Sequence, residues 1–298
     1  MPGLLDLVGN TPLCDISALV GKPGVRLLAK CEGNNPASSV KDRAARGMIL
    51  GAQARGELKP GMRLIEATSG NTGIALAMIA QAAGVEMHLV MPDTLTIERT
   101  QTMEAFGAKV ILVDGNMEVA RDIAQQRVTE SAGRPDAFLM LNQFANPDNP
   151  LEHYKTTAPE IWRDTAGAIT HFVSAMGTTG TIMGCSRFLK ERSATIAVVG
   201  CQPTEGSTIP GIRRWSKAYL PKIFEPSRVD RVIDISQKDA EETTRRLARD
   251  AGLFVGVSSG GAAWAALRIA HEVDSGVIVF IACDRGDRYL SSDVFRRG

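Results

Sequence analysis

Residues 65–84 read IEATSGNTGIALAMIAQAAG. An apolar start, a Ser-Gly-Asn-Thr-Gly turn and an alanine-rich tail describe a strand that passes directly into a helix. The same order recurs in VSAMGTTGTIMG (173–184) and in FVGVSSGGAAWAALRIA (254–270). Each time the turn is rich in glycine and hydroxyl side chains. Outward from these stretches, short β-branched runs alternate with helical patterns. Strands are expected at 25–30, 62–68, 86–92, 109–114, 136–141, 170–176, 195–202, 231–236 and 276–283. Helices are expected at 72–83, 117–130, 180–191, 238–250 and 260–272. Several strands are apolar nearly throughout, which suits burial on both faces. The alternation predicts an α/β fold with mainly parallel, twisted sheets flanked by helices.

There are more strands than one compact open sheet holds, so two sheets in two domains are expected. The stretch NQFANPDNP (142–150) is the expected crossing between them. The irregular segment 202–226 is too long for a plain connector, and loops of that length are usually functional. The chain has 298 residues, with 44% hydrophobic and 22% charged content, enough for a core without disulfides or metals. A net charge of +1, with no basic arm or acidic block, argues against nucleic acid or membrane as a partner.

No window approaches eighteen apolar residues, so no membrane span is expected. The start, MPGLLDLVGNTPL, has no basic n-region, and no signal peptide is expected. The five cysteines are scattered and never spaced CxxC, the pattern of reduced thiols in a cytoplasm. The four histidines form no HExxH, and no metal is expected.

Four places could carry chemistry. In NNPASSVKDRAARGM (34–48), Ser39 can cap a helix, with Asp42 completing a capping box. Ala44, Ala45, Met48, Ile49 and Ala52 then share one apolar face, with Lys41 near its middle and Asp42, Arg43 and Arg46 at its edges or beyond. Burial and the helix-end field would both lower the pKa of the Lys41 amine, and a neutral amine suits Schiff-base chemistry. Alternatively, its long stem snorkels to solvent.

In the second place, Thr68, Ser69, Asn71 and Thr72 surround backbone amides suited to a carboxylate; a simple turn capped by Ser69 or Thr72 is the other reading. In the third, Gly177, Thr178, Thr179, Gly180 and Thr181 would favour a phosphate. The motif is neither GxGxxG nor a Walker loop, which points to a phosphorylated cofactor outside the nucleotides. In the fourth, Ser258 either aims its hydroxyl into a pocket or, with Ser259, caps a helix. The loop IACDRGDRYLS (281–291) alone reads as a surface ion-pair cluster.

In order and composition, these motifs resemble fold type II pyridoxal-phosphate enzymes, the tryptophan synthase β-like group. More narrowly, they resemble the cysteine synthase (O-acetylserine sulfhydrylase) family. The resemblance runs through GNTPL (9–13), NPASSVKDR (35–43), EATSGNTGIALA (66–77), HYKTTAPEIW (153–162), GTTGT, IPGIRRW (209–215) and CDRGDRYLS (283–291). GTTGT and CDRGDRYLS look like the family's B isoform.

What the resemblance implies is specific. Lys41 would hold pyridoxal phosphate as a Schiff base and move the α-proton, and Asn71 would bond the cofactor's 3′-oxygen. Thr68, Ser69 and Thr72, with Gln143, would grip the substrate carboxylate. Gly177 to Thr181 would bind the phosphate, and Ser258 would face the pyridine nitrogen. A neutral serine holds that nitrogen's proton weakly, which favours β-replacement over transamination.

The expected reaction joins O-acetyl-L-serine to sulfide, giving L-cysteine and acetate. For a B type, thiosulfate is also expected, giving S-sulfo-L-cysteine, with Arg213, Arg214 and Cys283 as candidate donor-site residues. A homodimer is implied, with a smaller mobile domain at 36–145 and a larger one at 1–35 plus 146–298. The alternatives are a cystathionine β-synthase or serine/threonine dehydratase activity, a non-catalytic partner protein, or a nicotinamide dehydrogenase.

Overall fold

The computed structural model describes residues 3–68, 70–93 and 97–296. In chain order the first elements are β1 (Leu13–Asp15), β2 (Val25–Cys31), α1 (Lys41–Ala54), β3 (Arg63–Ala67), α2 (Asn71–Ala82) and β4 (Met87–Pro92). Next come α3 (Ile97–Ala105), β5 (Lys109–Val113), α4 (Met117–Ser131), β6 (Phe138–Leu139), α5 (Asp148–Lys155) and α6 (Thr157–Asp164). The last are β7 (His171–Ala175), α7 (Gly180–Arg192), β8 (Ala197–Pro203), β9 (Arg231–Ile235), α8 (Gln237–Ala251), α9 (Val257–Glu272) and β10 (Gly276–Ala282). The expected α/β class and its parallel sheets are present. The sequence reading omitted β1, α3, α5 and α6, and the strand expected at 136–141 shortens to two residues.

The chain divides into two compact units, one of residues 1–8 and 41–149, the other of 9–40 and 150–298. The first holds a four-stranded parallel sheet in the order β5-β4-β3-β6. Ile65, Val90 and Phe138 of this sheet pack against Ala120 and Ala124 of α4. Helix α2 is buried on nearly every side, as its run of alanines and aliphatics requires. Arg46 of α1 donates to the carbonyls of Leu5 and Val8, which ties the N-terminal turn down.

The second unit holds a six-stranded sheet, β1-β2-β10-β7-β8-β9, parallel except for the β1–β2 pair. Its strands show why the sequence runs are continuously apolar. Leu27, Ala29, Val173, Val199, Ile278 and Phe280 enter the core beneath α8 and α9, whose Leu247 and Ala266 meet them. Their neighbours Leu28, Phe172, Val198, Val279 and Ile281 enter a separate core with Ile161 of α6 and Ile182 and Leu189 of α7. Successive side chains leave opposite faces of a strand, so two covered faces need apolar residues at every position.

A buried ammonium sits within this unit. Lys30 is fully buried, with its Nζ 2.8 Å from Glu160 Oε2, and it also donates to the Thr11 carbonyl. Glu160 Oε1 accepts from the Asn10 amide at 2.8 Å, and Glu32 accepts from the Thr11 hydroxyl at 2.7 Å. GNTPL is thus held by a network in which the buried ammonium is paired, as it must be. Among the described residues no helix is long and apolar enough to cross a membrane, and no group of His, Cys, Asp and Glu could hold a metal ion.

Candidate active site

In the first unit, α1 begins at Lys41, which is half-buried. The expected apolar face is present, with Ala44, Ala45, Met48, Ile49 and Ala52 all buried. Its flanks differ from expectation. Asp42 and Arg43 do not point away but are fully buried, Arg43 being among the largest side chains in the interior. Ser39 lies in an isolated bridge with Asp284 within the second unit.

Strand β3 delivers Thr68, whose amide donates to the Val90 carbonyl at 3.1 Å. Ser69 lies outside the described residues. Helix α2 starts at Asn71 with Gly70 as its N-cap and no side-chain cap. Thr72 does not cap the helix. Its hydroxyl instead donates to Gln143 Oε1 at 2.9 Å, and both residues are buried. Gln143 is held in turn by its own carbonyl, which accepts from Asn149 Nδ2 at 2.8 Å. Thr72 and Gln143 therefore form a buried polar pair at the start of α2, with buried Thr68 just past β3, where a carboxylate finds both donors and a favourable dipole.

Beneath this group lies Glu66, a buried carboxylate of β3 to which sequence reasoning gave no role. Its Oε2 accepts from the Asn142 amide at 2.9 Å, and the neighbouring Leu141 amide also favours its ionised form. Burial pushes its carboxyl up to about 7, against the lowering effect of those amides and of Arg121. A carboxyl raised in the folded state above its ordinary 4.5 binds its proton more tightly there than when unfolded. Its contribution to stability is full below about 4.5 and is lost as pH rises through about 7. By itself this group should lower stability by on the order of 3 kcal/mol from pH 4.5 to 8. Denaturant titrations across that range, with Glu66→Gln as the flat reference, check the slope.

In the second unit, β7 runs into Gly177–Thr181 and α7. Thr179, the N-cap of α7, is left-handed with φ 72° and makes no side-chain cap. Its hydroxyl is buried and has no hydrogen-bond partner among the described residues. A Cβ on Gly177 would sit 2.6 Å from the Gly211 carbonyl oxygen, so only glycine fits there. The segment 209–215 lies along this loop: the Arg213 amide donates to Met176 O at 2.9 Å, and Trp215 Nε1 donates to Gly177 O at 2.8 Å. His153 of α5 is buried with Nε2 3.3 Å from Thr181 Oγ1 and Nδ1 2.8 Å from Thr157 Oγ1. Sequence reasoning gave neither Trp215 nor His153 a role; their only signal was membership of two stretches quoted for the resemblance.

Ser258 and Ser259 do not cap α9. The helix begins at Val257 with Gly256 as N-cap, and Ser259 Oγ accepts from the Cys283 amide at 2.8 Å. Ser258 is buried, and a Cβ on Gly211 would come within 3.5 Å of its Oγ, so this hydroxyl neighbours the segment that lines the 177–181 loop. The loop 283–289 is only partly the surface cluster expected. Arg285 and Asp287 are exposed and paired at 3.3 Å. Asp284, in contrast, is buried and accepts from the Tyr289 hydroxyl at 2.7 Å. Cys283 O accepts from the Val40 amide at 2.8 Å. Of the donor-site candidates, Arg214 is engaged with Asp234 at 2.9 Å, Arg213 is exposed, and Cys283 is half-buried.

The helix starts differ in a telling way. At α4 and α8 the side chains of Asn116 and Ser236 cap the first turn. At α2, α6, α7 and α9 the N-cap residue makes no such bond, although at α7 the Thr178 hydroxyl accepts from the Gly180 amide at 3.3 Å. The start of α7 adds a buried hydroxyl with no partner among the described residues and a glycine that lets the backbone close in. These residues fit the phosphate of a pyridoxal phosphate, whose oxygens accept from amides and hydroxyls alike.

The family model for pyridoxal-phosphate dependent enzymes matches residues 4–284. The chain belongs to this family, and its cofactor is pyridoxal phosphate. It is 57% identical to cysteine synthase B of Pseudomonas aeruginosa, over 99% of this chain and 97% of that protein. It is 56% identical to cysteine synthase B of Escherichia coli, over 99% and 96% respectively. The solved structure of a cysteine synthase from Entamoeba histolytica superposes with a TM-score of 0.94 at 37% identity, covering 100% of this chain and 91% of that one. Within the pyridoxal-phosphate dependent enzymes, these likenesses point to the cysteine synthases.

Proposed function

We propose that this chain is a cysteine synthase of the B type. It replaces the acetoxy group of O-acetyl-L-serine with a sulfur nucleophile, giving L-cysteine and acetate. The observation that carries this reading is the 177–181 loop, where the N-cap side chain leaves the helix start open and the buried Thr179 hydroxyl has no partner among the described residues. Near-full-length likeness to two cysteine synthases B supports it.

Pyridoxal phosphate, when bound, supplies an electron sink for the charge that develops at the substrate Cα. The protein's residues determine what is done with it. Gly177 to Thr181 hold the phosphate, and Asn71 bonds the 3′-oxygen. Ser258 meets the pyridine nitrogen with a neutral hydroxyl, which accepts or donates a hydrogen bond without fixing a positive charge there. Lys41 Nζ carries the cofactor, then takes the α-proton and later returns it to Cα. Thr68, Ser69, Thr72 and Gln143 hold the substrate carboxylate.

Thr72→Val keeps the shape of Thr72 but strands the Gln143 amide oxygen. We expect KM for O-acetylserine to rise roughly tenfold, the equivalent of about one buried hydrogen bond, with a smaller change in kcat. Steady-state kinetics check the split.

Thiosulfate is proposed as a second donor. Arg213 has the more available guanidinium, because Arg214 is engaged with Asp234. The enzyme is also taken to be a cytoplasmic homodimer, a state that sedimentation velocity tests. The deciding experiment is product identification with O-acetylserine and sulfide or thiosulfate in turn. L-cysteine from sulfide is expected, and S-sulfo-L-cysteine from thiosulfate. Product only from serine and homocysteine would overturn the reading.

A further inference from the structure

We infer that Glu66 is the positioning residue of the substrate-carboxylate group, acting as a buried clamp that fixes the 141–143 segment so that Gln143 meets Thr72. The inference rests on the reading of that group given above.

The geometry is confined to the first unit. Glu66 leaves β3 two residues before Thr68, and its carboxylate is buried. Its Oε2 accepts from the Asn142 amide at 2.9 Å, and the Leu141 amide also favours its ionised form. Asn142 holds a left-handed φ of 54°, a conformation that asparagine tolerates better than most residues. The next residue is Gln143, whose Oε1 accepts from Thr72. One carboxylate therefore pins the Asn142 amide on the near side of Gln143, while Asn149 holds the Gln143 carbonyl on the far side. With β6 only two residues long, little sheet pairing fixes this segment. The carboxylate supplies what the ladder does not.

An amide side chain replaces it only weakly. A glutamine keeps an acceptor oxygen but holds the Asn142 amide with a neutral bond in place of a charge-assisted one. The clamp is strongest when it is ionised, since a protonated carboxyl keeps only a neutral acceptor. The groups that face Glu66 are few. Arg121 of α4 is the charge that acts on it, α2 carries no charged residue, and β4 sets Leu89 opposite. Burial outweighs Arg121 and the two amides, so the carboxyl titrates near neutrality rather than near its ordinary value.

The test compares wild type with Glu66→Gln, both loaded with pyridoxal phosphate. Amide hydrogen exchange at Leu141 and Asn142, corrected for intrinsic rates, is followed from pH 6 to 9, together with kcat and KM for O-acetylserine. In the wild type, protection of the Asn142 amide should rise, and KM fall, as pH increases through about 7, with Leu141 as the adjacent control. In Glu66→Gln, protection should drop at least tenfold at pH 8, and KM should rise about tenfold and lose that pH dependence. The change in kcat should be the smaller one. Unchanged protection, or a KM that keeps the wild-type pH profile, would overturn the clamp. If the wild type fails to turn over O-acetylserine, the functional reading falls instead, and the exchange measurement still decides whether Glu66 holds the segment.

Discussion

Lys41→Ala protein is expected to lose turnover of O-acetylserine by at least about a thousandfold. On the proposed assignment two tasks end together: the covalent hold on the cofactor, and the proton transfer at Cα. Alanine is the strongest helix former, so α1 should persist and the loss should be chemical. The position supports this. Lys41 is the first residue of α1 and remains half-buried, while Asp42 and Arg43 beside it are committed to the interior. Borohydride reduction followed by peptide mass analysis should place a pyridoxyl adduct on Lys41 in the wild type and none in the variant. Retention of a tenth of the activity, or an adduct on another lysine, would refute the assignment.

Gly184→Ala is expected to be the most damaging small substitution near the phosphate loop. In an ordinary helix, this change stabilises by about 0.5–1 kcal/mol, so the sign of the result is diagnostic. Here a Cβ would stand 2.1 Å from the Pro150 carbonyl oxygen, 2.7 Å from His153 Cβ and 2.8 Å from the Tyr154 amide nitrogen. Two of these are backbone atoms, so the two helices must separate. Overpacking of this kind costs about 3 kcal/mol, which corresponds to a fall of roughly 5–10 °C in Tm. Function should suffer as well, because His153 contacts Thr181 from the same turn of α5 that Gly184 accommodates. Weaker retention of pyridoxal phosphate, measured by dialysis and absorbance, should accompany the lower Tm. A variant as stable as wild type, or more so, would contradict this packing.

The parts that could be read from sequence are those where one physical demand dominates. Strands β7, β8 and β10 stood out because both faces are covered, so their central positions are almost all apolar. The three glycine-and-hydroxyl turns stood out because turns and helix starts have strong local chemistry. Helices α5 and α6 did not, since each is eight residues long and they meet at Thr156 within a polar stretch. Strand β1 is three residues at a sheet edge, too short for any period to show.

The phase of α1 placed its apolar residues correctly. It failed at Asp42 and Arg43 because periodicity assumes that charged side chains face water, and interior charges break that assumption. Glu66 was hidden for the same reason, a carboxylate in an otherwise apolar strand whose partners lie some 75 residues away in sequence. The serines of 258–259 looked like caps because that is their commonest use. Only the position of the helix start shows that they serve elsewhere.

The start of α7 has a consequence for the protein's life in a cell. Its N-cap residue makes no side-chain cap, and the buried Thr179 hydroxyl has no hydrogen-bond partner among the described residues. A ligand that satisfies this helix start binds the folded chain and not the unfolded one, so it raises stability in proportion to the logarithm of its concentration. The cofactor is then an architectural component as well as a reagent. Vitamin supply would set the steady-state amount of intact enzyme as well as the fraction that is active, and scarcity would reduce the protein through turnover of its empty form.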